Sequence, residues 1–525
     1  MGIPSYYKRL IDRFPKLVSK GVKLATGARK ADILLMDFNC LIYQCVRSEK
    51  LPPYGAEGRE AWEGALIEEV KRYTVDVWDV AGRPSEVVIA VDGVVPMAKM
   101  RQQRLRRFKS LWLAAAEREA GVRSGEAWDT NAITPGTAFM EALGRGLQQL
   151  CRARGSGWAV SGADEPGEGE QKLMAWMRRQ EAGRLAKKEV VVYGLDADLI
   201  LLSLLCFAKD TPQVAGWRLL RELAEFEGGS GSGGGGFGSL DIGELLSLLV
   251  PYGIPSADYM MEYVCGMSFL GNDFLPHSLS VKIREGGHDL LCSTLTSIHT
   301  EKGRLVGPEG RVNLAACAGF LRRWAAEEEA WIKENFAAKY KGRGPPPRNE
   351  RERAMLNVTN LPLEWKEEGC IWSRESGGRF VDDWREIYRR RWLREADVGE
   401  AAREYVKGLQ WIMDYYTGKP VSYDWYFPWN VPPLWSDILG ACEAGASAPE
   451  PTSPVAPQEQ LAMVLPLGSW WLVREPRLRA LPARAPVYWP SGFGFFSAGR
   501  RWMWECEAEV PILTAERMRG LLMQH

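Results

Sequence analysis

The sequence predicts an α/β fold with a mainly parallel, doubly wound sheet, helices on both of its faces, and a second, helical and mixed region after it. Three short apolar runs predict the sheet: Ile33–Asp37, Val87–Asp92 and Val190–Gly194. Each run is apolar almost throughout, as expected of strands that helices cover on both sides. Amphipathic stretches alternate with these runs, which is the pattern of βαβ units around a parallel sheet.

Cap and turn residues predict helices between and after the strands. Thr134 and Pro135 suit the N-cap and first position of a helix that we expect to continue through Leu150. A further helix is expected after the segment PGEGE, and residues 314–340 read as one long helix. The first two of these helices lie between the second and third predicted strands.

Composition divides the chain into three parts. Residues 1–300 form the predicted core, in which a glycine-rich flexible loop covers about 228–239. Its sequence, GGSGSGGGG, is as typical of an engineered linker as of a natural loop. Residues 301–349 are expected to form a helical connection ending in a Pro-rich linker. Residues 350–525 form the second region, with a disordered segment at about 443–457.

The overall composition is that of a globular protein. The 525 residues contain 67 Lys and Arg against 67 Asp and Glu, and 46% are hydrophobic, which excludes disorder of the whole chain. A net charge of zero argues against a general polyanion binder. No apolar run reaches the roughly 18 residues of a membrane span, and the first residues lack a signal-peptide pattern. We therefore expect an intracellular protein without a membrane segment.

The sequence predicts neither N-terminal lipidation nor a zinc or disulfide framework. The Met-Gly opening is followed by Tyr6, where an N-myristoylation motif has Ser or Thr. The 10 cysteines include no CxxC pair, so the sequence indicates neither a zinc site nor a disulfide framework. We expect these cysteines to be reduced residues of the core.

Acidic residues stand at the ends of the predicted strands. Asp37 and Asp92 each end an apolar run, and Asp196 and Asp198 follow the third run closely. Because ligands of open α/β sheets bind at the carboxyl ends of the strands, we expect these carboxylates to converge in one crevice. Two Gly-flanked segments, PGEGEQK and FLGNDFLPH, supply the other candidates. The complete set is Asp37, Asp92, Glu168, Glu170, Asp196, Asp198 and Asp273.

Such a cluster of acids requires positive charge. Neighbouring carboxylates raise one another's pKa, so they stay ionised together only where cations neutralise them. Mg²⁺ or Mn²⁺ is the natural partner of oxygen ligands, and two such ions form the arrangement used for phosphodiester cleavage. Any one of these acids alone is also compatible with a helix N-cap or a turn. With only four His and no triad signature, Ser or Cys nucleophilic catalysis has little support.

A basic segment follows Asp92 directly. The stretch from Lys99 to Lys109 contains six basic residues and no acid. Four side chains at spacings i, i+4, i+7 and i+8 share one face of a helix there, and we expect them to bind a single phosphate group beside the acids. A solvated basic helix face is the alternative interpretation. The four residues are Lys99, Gln103, Arg106 and Arg107.

A series of segments matches the successive signatures of one known family. The segments, in order, are MGIPSYYKRLIDRFP, MDFNCLIYQC, VDGVVPMAKMRQQRLRRFK, WDTNAITPGTAFM, SGADEPGEGEQKLM, YGLDADLILL, FLGNDFLPH and YVKGLQWIMDYYTGKPVSYDWYFPWNVPPLWSDI. On these segments the chain resembles the Xrn family of 5′-to-3′ exoribonucleases over nearly its whole length. The resemblance implies a PIN/FEN-like nuclease core completed by a second conserved region.

The resemblance also implies roles for individual residues. The family's metal ligands correspond to the same seven acids, and its 5′-phosphate pocket corresponds to Lys99, Gln103, Arg106 and Arg107, with Asn39 nearby. A ring at position 43, here Tyr43, and Trp411 are implied to bracket the bases behind the 5′ end. Trp411 and Tyr416 are implied to wall the active site from the second region.

The implied activity is processive hydrolysis of single-stranded RNA bearing a 5′-monophosphate to 5′-mononucleotides, in mRNA decay or other RNA processing, by a monomer with two Mg²⁺ or Mn²⁺ ions. The family usually has His where this chain has Tyr43, and the long C-terminal extensions of its cytoplasmic members are missing. The zinc-knuckle insertion of nuclear members is also missing, which favours the cytoplasm. The alternatives are a structure-specific flap endonuclease, which lacks the second region, and a catalytically silent RNA-binding scaffold, which would have lost its metal acids.

Overall fold

The computed structural model describes residues 3, 5–20, 30–56, 58–122, 125–194, 196–223, 236–339, 346–360, 367–373, 377–393 and 397–523. Most of the glycine-rich loop predicted at 228–239 lies outside these residues. At its end, a strand already begins at Phe237, two residues before the predicted boundary. The first half of the predicted Pro-rich linker, up to residue 345, also lies outside the described residues.

A seven-stranded sheet organises the described part of the chain. Its strands are β1 (Val18–Lys20), β2 (Ile33–Asp37), β3 (Glu86–Ala90), β4 (Trp158–Ser161), β5 (Glu189–Tyr193), β6 (Gly216–Glu222) and β7 (Phe237–Asp241). The spatial order is β1-β7-β6-β5-β2-β3-β4. The pairs from β6 to β4 are parallel, and β7 and β1 add an antiparallel edge. The predicted α/β fold with a mainly parallel sheet is therefore confirmed.

The strands that the sequence predicts lie at the centre of this sheet. β2 has the predicted bounds, whereas β3 and β5 each begin and end one or two residues earlier than predicted. The sequence did not indicate β6, because its buried charges interrupt the apolar pattern. Arg218 of β6 is paired with Glu189 on the neighbouring strand, and Arg221 with Glu222.

Helices cover both faces of the sheet. Those of the first 302 residues are α1 (Tyr6–Arg13), α2 (Phe38–Val46), α3 (Arg59–Val80), α4 (Met97–Glu119), α5 (Ala138–Arg154), α6 (Gly169–Arg178), α7 (Ala182–Leu185), α8 (Ala197–Leu205), α9 (Ile242–Leu249), α10 (Ser256–Phe269) and α11 (Gly287–Lys302). Successive residues of a strand point to opposite faces. Ile33 and Leu35 accordingly belong to one buried apolar cluster, and Leu34 and Met36 to another on the opposite face.

The second region contributes to both of these clusters. Its helices are α12 (Leu314–Lys339), α13 (Glu350–Asn360), α14 (Trp384–Trp392), α15 (Val398–Thr417), α16 (Trp435–Ala444), α17 (Pro457–Val464), α18 (Pro476–Arg479), α19 (Leu481–Arg484) and α20 (Ala515–Met523). Two short antiparallel pairs complete it, namely β8 (Trp372–Ser373) with β9 (Arg379–Phe380) and β10 (Phe495–Phe496) with β11 (Glu507–Ala508). Residues up to Cys442 pack mainly on one face of the sheet, and residues from Val455 onward on the other. The second region therefore encloses the sheet.

The segment 443–457, for which composition predicts disorder, differs from that expectation. After α16 it follows an irregular path to α17 with defined contacts. The Tyr423 N–H donates a hydrogen bond of 2.9 Å to Oγ1 of Thr452, and Val455 is buried in the core. Proline restricts φ, so a Pro-rich segment is already extended before it docks and loses little entropy.

Within the described residues, none of the helices is both long and apolar enough to cross a membrane. All described cysteines are free thiols, as the absence of CxxC pairs predicts.

Candidate active site

A cavity of about 370 Å³ lies at the carboxyl ends of β2, β3 and β5. The structure brings all seven predicted acids to its lining, together with the four residues of the predicted phosphate pocket and with Asn39 and Tyr43. Trp411 and Tyr416 are the predicted site residues that do not line it. Sequence positions from 37 to 273 thus converge on a single space.

The fold explains why the acids meet. Asp37 is the last residue of β2, and Asp92 lies two residues beyond β3. Glu168 and Glu170 stand at the start of α6, and Asp196 and Asp198 at the start of α8, where the positive end of the helix dipole favours negative charge. Asp273 reaches the same edge from the loop after α10.

Asp92 is held in one orientation by its neighbours. The Asn39 amide donates a hydrogen bond of 2.8 Å to Oδ2, and the Gly169 N–H donates one of 2.7 Å to Oδ1. Gly169 has to be glycine, because a Cβ there would lie 2.7 Å from the Ala90 carbonyl oxygen and 2.8 Å from Oδ1 of Asp37. The PGEGE segment is therefore shaped by close approach of its backbone to the acids.

The carboxylates destabilise one another's charge. Burial, followed by the charge of Asp92, raises the pKa of Asp37 well above its usual range. Burial and the charge of Glu168 raise the pKa of Glu170 in the same way. Burial and Asp273 raise the pKa of Asp198 to about 7. The cavity therefore favours the entry of positive charge.

Lys99 supplies part of that charge. Its ammonium lies 2.5 Å from Oε2 of Glu168 and 2.7 Å from Oδ2 of Asp273. Burial acts to raise the pKa of Asp273, but the nearby positive charges, with Lys99 as the largest, together lower the pKa to about 2. We had expected Lys99 on a 5′-phosphate; the structure places its ammonium among the acids, because it lies in the first turn of α4, directly after the Asp92 loop.

The donor set fits hard divalent cations in its chemistry. It consists of carboxylate oxygens, which Mg²⁺ and Mn²⁺ prefer, and the raised pKa values show charge that a cation would stabilise. Among the described residues, no three acidic, His or Cys side chains already stand close enough together to hold an ion.

The next turns of α4 present unused polar groups to the cavity. Arg107 is 8% exposed, and its Nη2 donates a hydrogen bond of 2.9 Å to Oγ1 of Thr134. Its Nη1 and the Gln103 side-chain oxygen are buried without a hydrogen-bond partner among the described residues. Burial lowers the pKa of Arg107 to about 10. The side chain of Arg106 forms no ion pair with any described residue, so this part of the cavity is suited to an anion.

Thr134 has a different role from the predicted one. The N-cap of α5 is Thr137, whose Oγ1 accepts the Met140 N–H, and the helix begins at Ala138. Thr134 instead donates to the Asn131 carbonyl oxygen and accepts from Arg107. The expectation of a helix start at Pro135 was wrong, because a 3₁₀ turn at Thr130–Ala132 and the turn after it precede the helix.

Three further basic residues of α4 hold the second region in place. Arg104 is fully buried and donates to the carbonyl oxygens of Met463, Tyr488 and Pro511. Arg101 donates to Oδ1 of Asn430, and Lys109 to the carbonyl oxygens of Trp504 and Cys506. One face of α4 thus lines the cavity, while another anchors residues 430–511.

Two tyrosines of α15 reach the acids from the second region. The Tyr416 hydroxyl donates to Oδ1 of Asp198 at 3.1 Å, in agreement with its expected place at the site. The Tyr415 hydroxyl donates to Oε1 of Glu168 at 2.6 Å, a contact that sequence reasoning missed. The adjacent pair of tyrosines in the segment MDYYTG was the available signal.

Trp411, which the family resemblance implies as a ring that brackets the bases, is buried in this structure. Its side chain is 1% exposed, and its Nε1 donates to the Ser422 carbonyl oxygen at 2.9 Å. Its ring stacks on Tyr415 at 5.1 Å and 13°, and Phe274 and Trp425 pack against it. In this structure the Trp411 ring packs against other aromatic rings of the core, and its stacking on bases stays a prediction.

Two family models match the chain. "XRN 5′-3′ exonuclease N-terminus" matches residues 1–215, and "Xrn1 helical domain" matches residues 384–523. The chain belongs to the Xrn family. The first match includes six of the seven acids and the basic face of α4, and the second includes Tyr415 and Tyr416. Asp273 lies between the two matches.

Individual relatives extend this similarity along the whole chain. Human 5′-3′ exoribonuclease 1 is 27% identical over 99% of this Xrn-family chain, and the match covers 34% of the human protein. The 5′-3′ exoribonuclease 2 homolog of Drosophila melanogaster is 26% identical over 100% of the chain and 71% of its own length. Arabidopsis thaliana 5′-3′ exoribonuclease 2 is 26% identical over 99% of the chain and 66% of its own length. The chain thus spans only a third of the human relative.

Proposed function

We propose that this Xrn-family protein is a metal-dependent 5′-to-3′ exoribonuclease that removes 5′-mononucleotides processively from single-stranded RNA bearing a 5′-monophosphate. The observation that carries the proposal is the single cavity in which seven carboxylates stand beside Arg106 and Arg107, where Nη1 of Arg107 is buried without a hydrogen-bond partner among the described residues. The family match and the relatives' printed names support the same activity.

The proposed cation site is formed by the acids at the strand ends. The residues that would hold two divalent ions are Asp37, Asp92, Glu168, Glu170, Asp196, Asp198 and Asp273. When bound, such ions supply an activated water and stabilise the leaving oxygen of a phosphodiester. Asn39 and Gly169 hold Asp92, while Tyr415 and Tyr416 hold Glu168 and Asp198 in defined orientations.

The 5′ end would be recognised by Gln103, Arg106 and Arg107. A monophosphate provides oxygens for the guanidinium groups, and these contacts place the first internucleotide bond at the acids. If these side chains enclose a single phosphate, a cap or triphosphate would be excluded, and a 5′-hydroxyl would lack the charge that they bind. Lys99 then acts at the acids rather than on the phosphate, because it already contacts Glu168 and Asp273.

Tyr43 would support the first base. The side chain is partly exposed and lines the cavity together with the acids and Arg107. A ring stacks on any base, at about 1 to 3 kcal/mol per base, which suits an enzyme that acts on every sequence. Activity as a monomer and a cytoplasmic location, the latter from the missing zinc-knuckle insertion, complete the proposal.

The test uses an RNA with a 5′-monophosphate and a label on its first nucleotide, incubated with Mg²⁺ and then with Mg²⁺ plus EDTA. We expect labelled 5′-mononucleotide as the first product with Mg²⁺ and no product with EDTA. Release of a longer labelled fragment would identify a flap endonuclease instead. Binding without cleavage under every metal condition would identify a silent scaffold.

A further inference from the structure

Arg106 of α4 lines three cavities. The first is the catalytic cavity described above. The second is a groove of about 900 Å³ that shares Tyr43, Arg106 and Arg107 with the catalytic cavity; we call it the outer groove. The third, of about 140 Å³, shares only Arg106 and Asp273 with the catalytic cavity. Both additional spaces therefore adjoin the catalytic cavity at Arg106.

The outer groove combines positive charge with aromatic surface. The Arg59 guanidinium lies 4.4 Å from the centre of the Trp471 ring, whose side chain is 40% exposed. Arg118 also lines the groove, is exposed, and forms no ion pair with any described residue. The acidic residue in the lining, Asp129, already accepts the Asn131 N–H as a cap. A groove of this kind attracts anions that carry a flat ring.

The position of the groove indicates which nucleotide would enter it. This step rests on the proposed function, in which the 5′-phosphate is bound at Arg106 and Arg107 and the first internucleotide bond lies at the acids. The uncut strand then extends from the acids away from the two arginines. The outer groove joins the catalytic cavity at Arg106, Arg107 and Tyr43. It therefore adjoins the place where the cleaved nucleotide lies, and not the path of the uncut strand.

We propose that the outer groove binds the released nucleoside 5′-monophosphate on its way out of the enzyme. Arg118 and Arg59 would bind the phosphate, and the exposed face of Trp471 would stack on the base. The volume of about 900 Å³ falls within the range of roughly 300 to 1,000 Å³ that is typical of small-molecule sites, whereas the third cavity is smaller than that range. A released nucleotide then leaves without crossing the path of the incoming strand.

The test compares two double variants of the full chain. Trp471→Ala with Arg118→Ala alters residues of the outer groove only, and neither lines the catalytic cavity. The matched control, Trp504→Ala with Arg284→Ala, alters an exposed tryptophan and an arginine of the third cavity. Binding of 5′-AMP is measured by calorimetry in Mg²⁺, and cleavage of the first bond of a 5′-monophosphate RNA is measured in a single turnover.

We expect the outer-groove variant to bind 5′-AMP at least fivefold more weakly and to resist inhibition by 5′-AMP to the same extent. Its single-turnover cleavage should stay within twofold of wild type, and the control variant should match wild type in all three measurements. Arg118→Ala alone, at an exposed position, should give part of the effect without any question of folding.

Unchanged 5′-AMP binding in the outer-groove variant would overturn the proposal, as would the absence of saturable 5′-AMP binding to wild type at millimolar concentration. If the outer-groove variant bound long RNA more weakly but 5′-AMP as tightly as wild type, the proposal would also be overturned, because the groove would then bind the incoming strand. Failure of the proposed function has a separate signature, namely that wild type releases no mononucleotide at all.

Discussion

The Tyr415 hydroxyl donates a hydrogen bond of 2.6 Å to Oε1 of Glu168, which lies 247 residues earlier in the chain. Oε2 of the same carboxylate contacts the Lys99 ammonium at 2.5 Å. Both oxygens of Glu168 are thus oriented by other parts of the chain, one of them in the second region. The second region therefore contributes to the chemistry of the site as well as to the core.

Tyr415→Phe should lower the apparent affinity of the enzyme for Mg²⁺ without disturbing the fold of α15. The ring stays stacked on Trp411, but Glu168 loses a hydrogen bond to a charged group, worth about 1.5 to 3 kcal/mol. We expect the Mg²⁺ concentration for half-maximal cleavage to rise by roughly tenfold, on the same scale. Tyr388→Phe is the matched control, because it removes a buried 2.6 Å hydrogen bond, to the Pro432 carbonyl oxygen, that lies away from the acids. An equal change in Mg²⁺ dependence in both variants would contradict the role of Tyr415.

Mg²⁺ should raise the melting temperature of the wild-type protein, because a ligand that binds only the folded state stabilises it. In the Glu170→Gln variant, Mg²⁺ should raise the melting temperature by a smaller amount. Without Mg²⁺, this variant should melt at the same temperature as wild type or slightly above it, since burial and Glu168 raise the pKa of Glu170 and so disfavour its charge. Thermal unfolding at constant ionic strength, with and without Mg²⁺, provides the measurement. An identical Mg²⁺ effect in wild type and variant would exclude Glu170 from the cation site.

Arg106→Ala should impair cleavage of RNA that carries a 5′-monophosphate much more than cleavage of RNA that carries a 5′-hydroxyl. If Arg106 binds the terminal phosphate, its loss removes a contact of about 1.5 to 3 kcal/mol, and kcat/KM on 5′-monophosphate RNA should fall roughly tenfold or more. On 5′-hydroxyl RNA of the same sequence, the change should be small. Competition between the two RNAs in one reaction measures the ratio directly. Equal losses on both would mean that Arg106 only follows the backbone.

Glu328 of α12 should make stability depend on pH. Both of its oxygens accept the Trp435 N–H, and burial raises its pKa from 4.5 to about 8. The folded state therefore keeps a proton that the unfolded state releases between pH 4.5 and 8, so stability falls as the pH rises through this window. The slope from this group approaches about 1.4 kcal/mol per pH unit.

Glu328→Gln should remove this contribution, so that its unfolding free energy falls less than that of wild type between pH 6 and pH 8. The exposed neighbour Glu327→Gln is the control and should keep the wild-type profile. Parallel pH profiles for all three proteins in urea unfolding would show that Glu328 stays ionised in the folded state.

The sequence predicted the centre of the fold and the acids, because both follow from local patterns. Apolar runs define β2, β3 and β5, and a carboxylate at the end of each run has only one edge of the sheet to occupy. The spacing along α4 predicted that Lys99, Gln103, Arg106 and Arg107 share one face of the helix, and all four line the cavity.

The parts that the sequence did not predict depend on contacts between distant segments. Spacing cannot show that Lys99 points to Glu168 and Asp273 while Arg104 anchors the second region. Nor can it show that the Trp411 ring is buried against Tyr415 while the Tyr415 hydroxyl reaches Glu168, because packing between distant segments decides both contacts. The buried charges of β6 hid that strand for the same reason.

Single-turnover cleavage by Asp198→Asn tests the role of the acid cluster most directly. The substrate is a 5′-monophosphate RNA with Mg²⁺, and Asp164→Asn, an exposed acid outside the cavity, serves as the control. We predict that Asp198→Asn loses cleavage while binding the RNA about as tightly as wild type, because Arg106 and Arg107 are unchanged, and that the control retains both properties. Cleavage by Asp198→Asn at more than about a tenth of the wild-type rate, a loss of less than about 1.4 kcal/mol, would contradict the account.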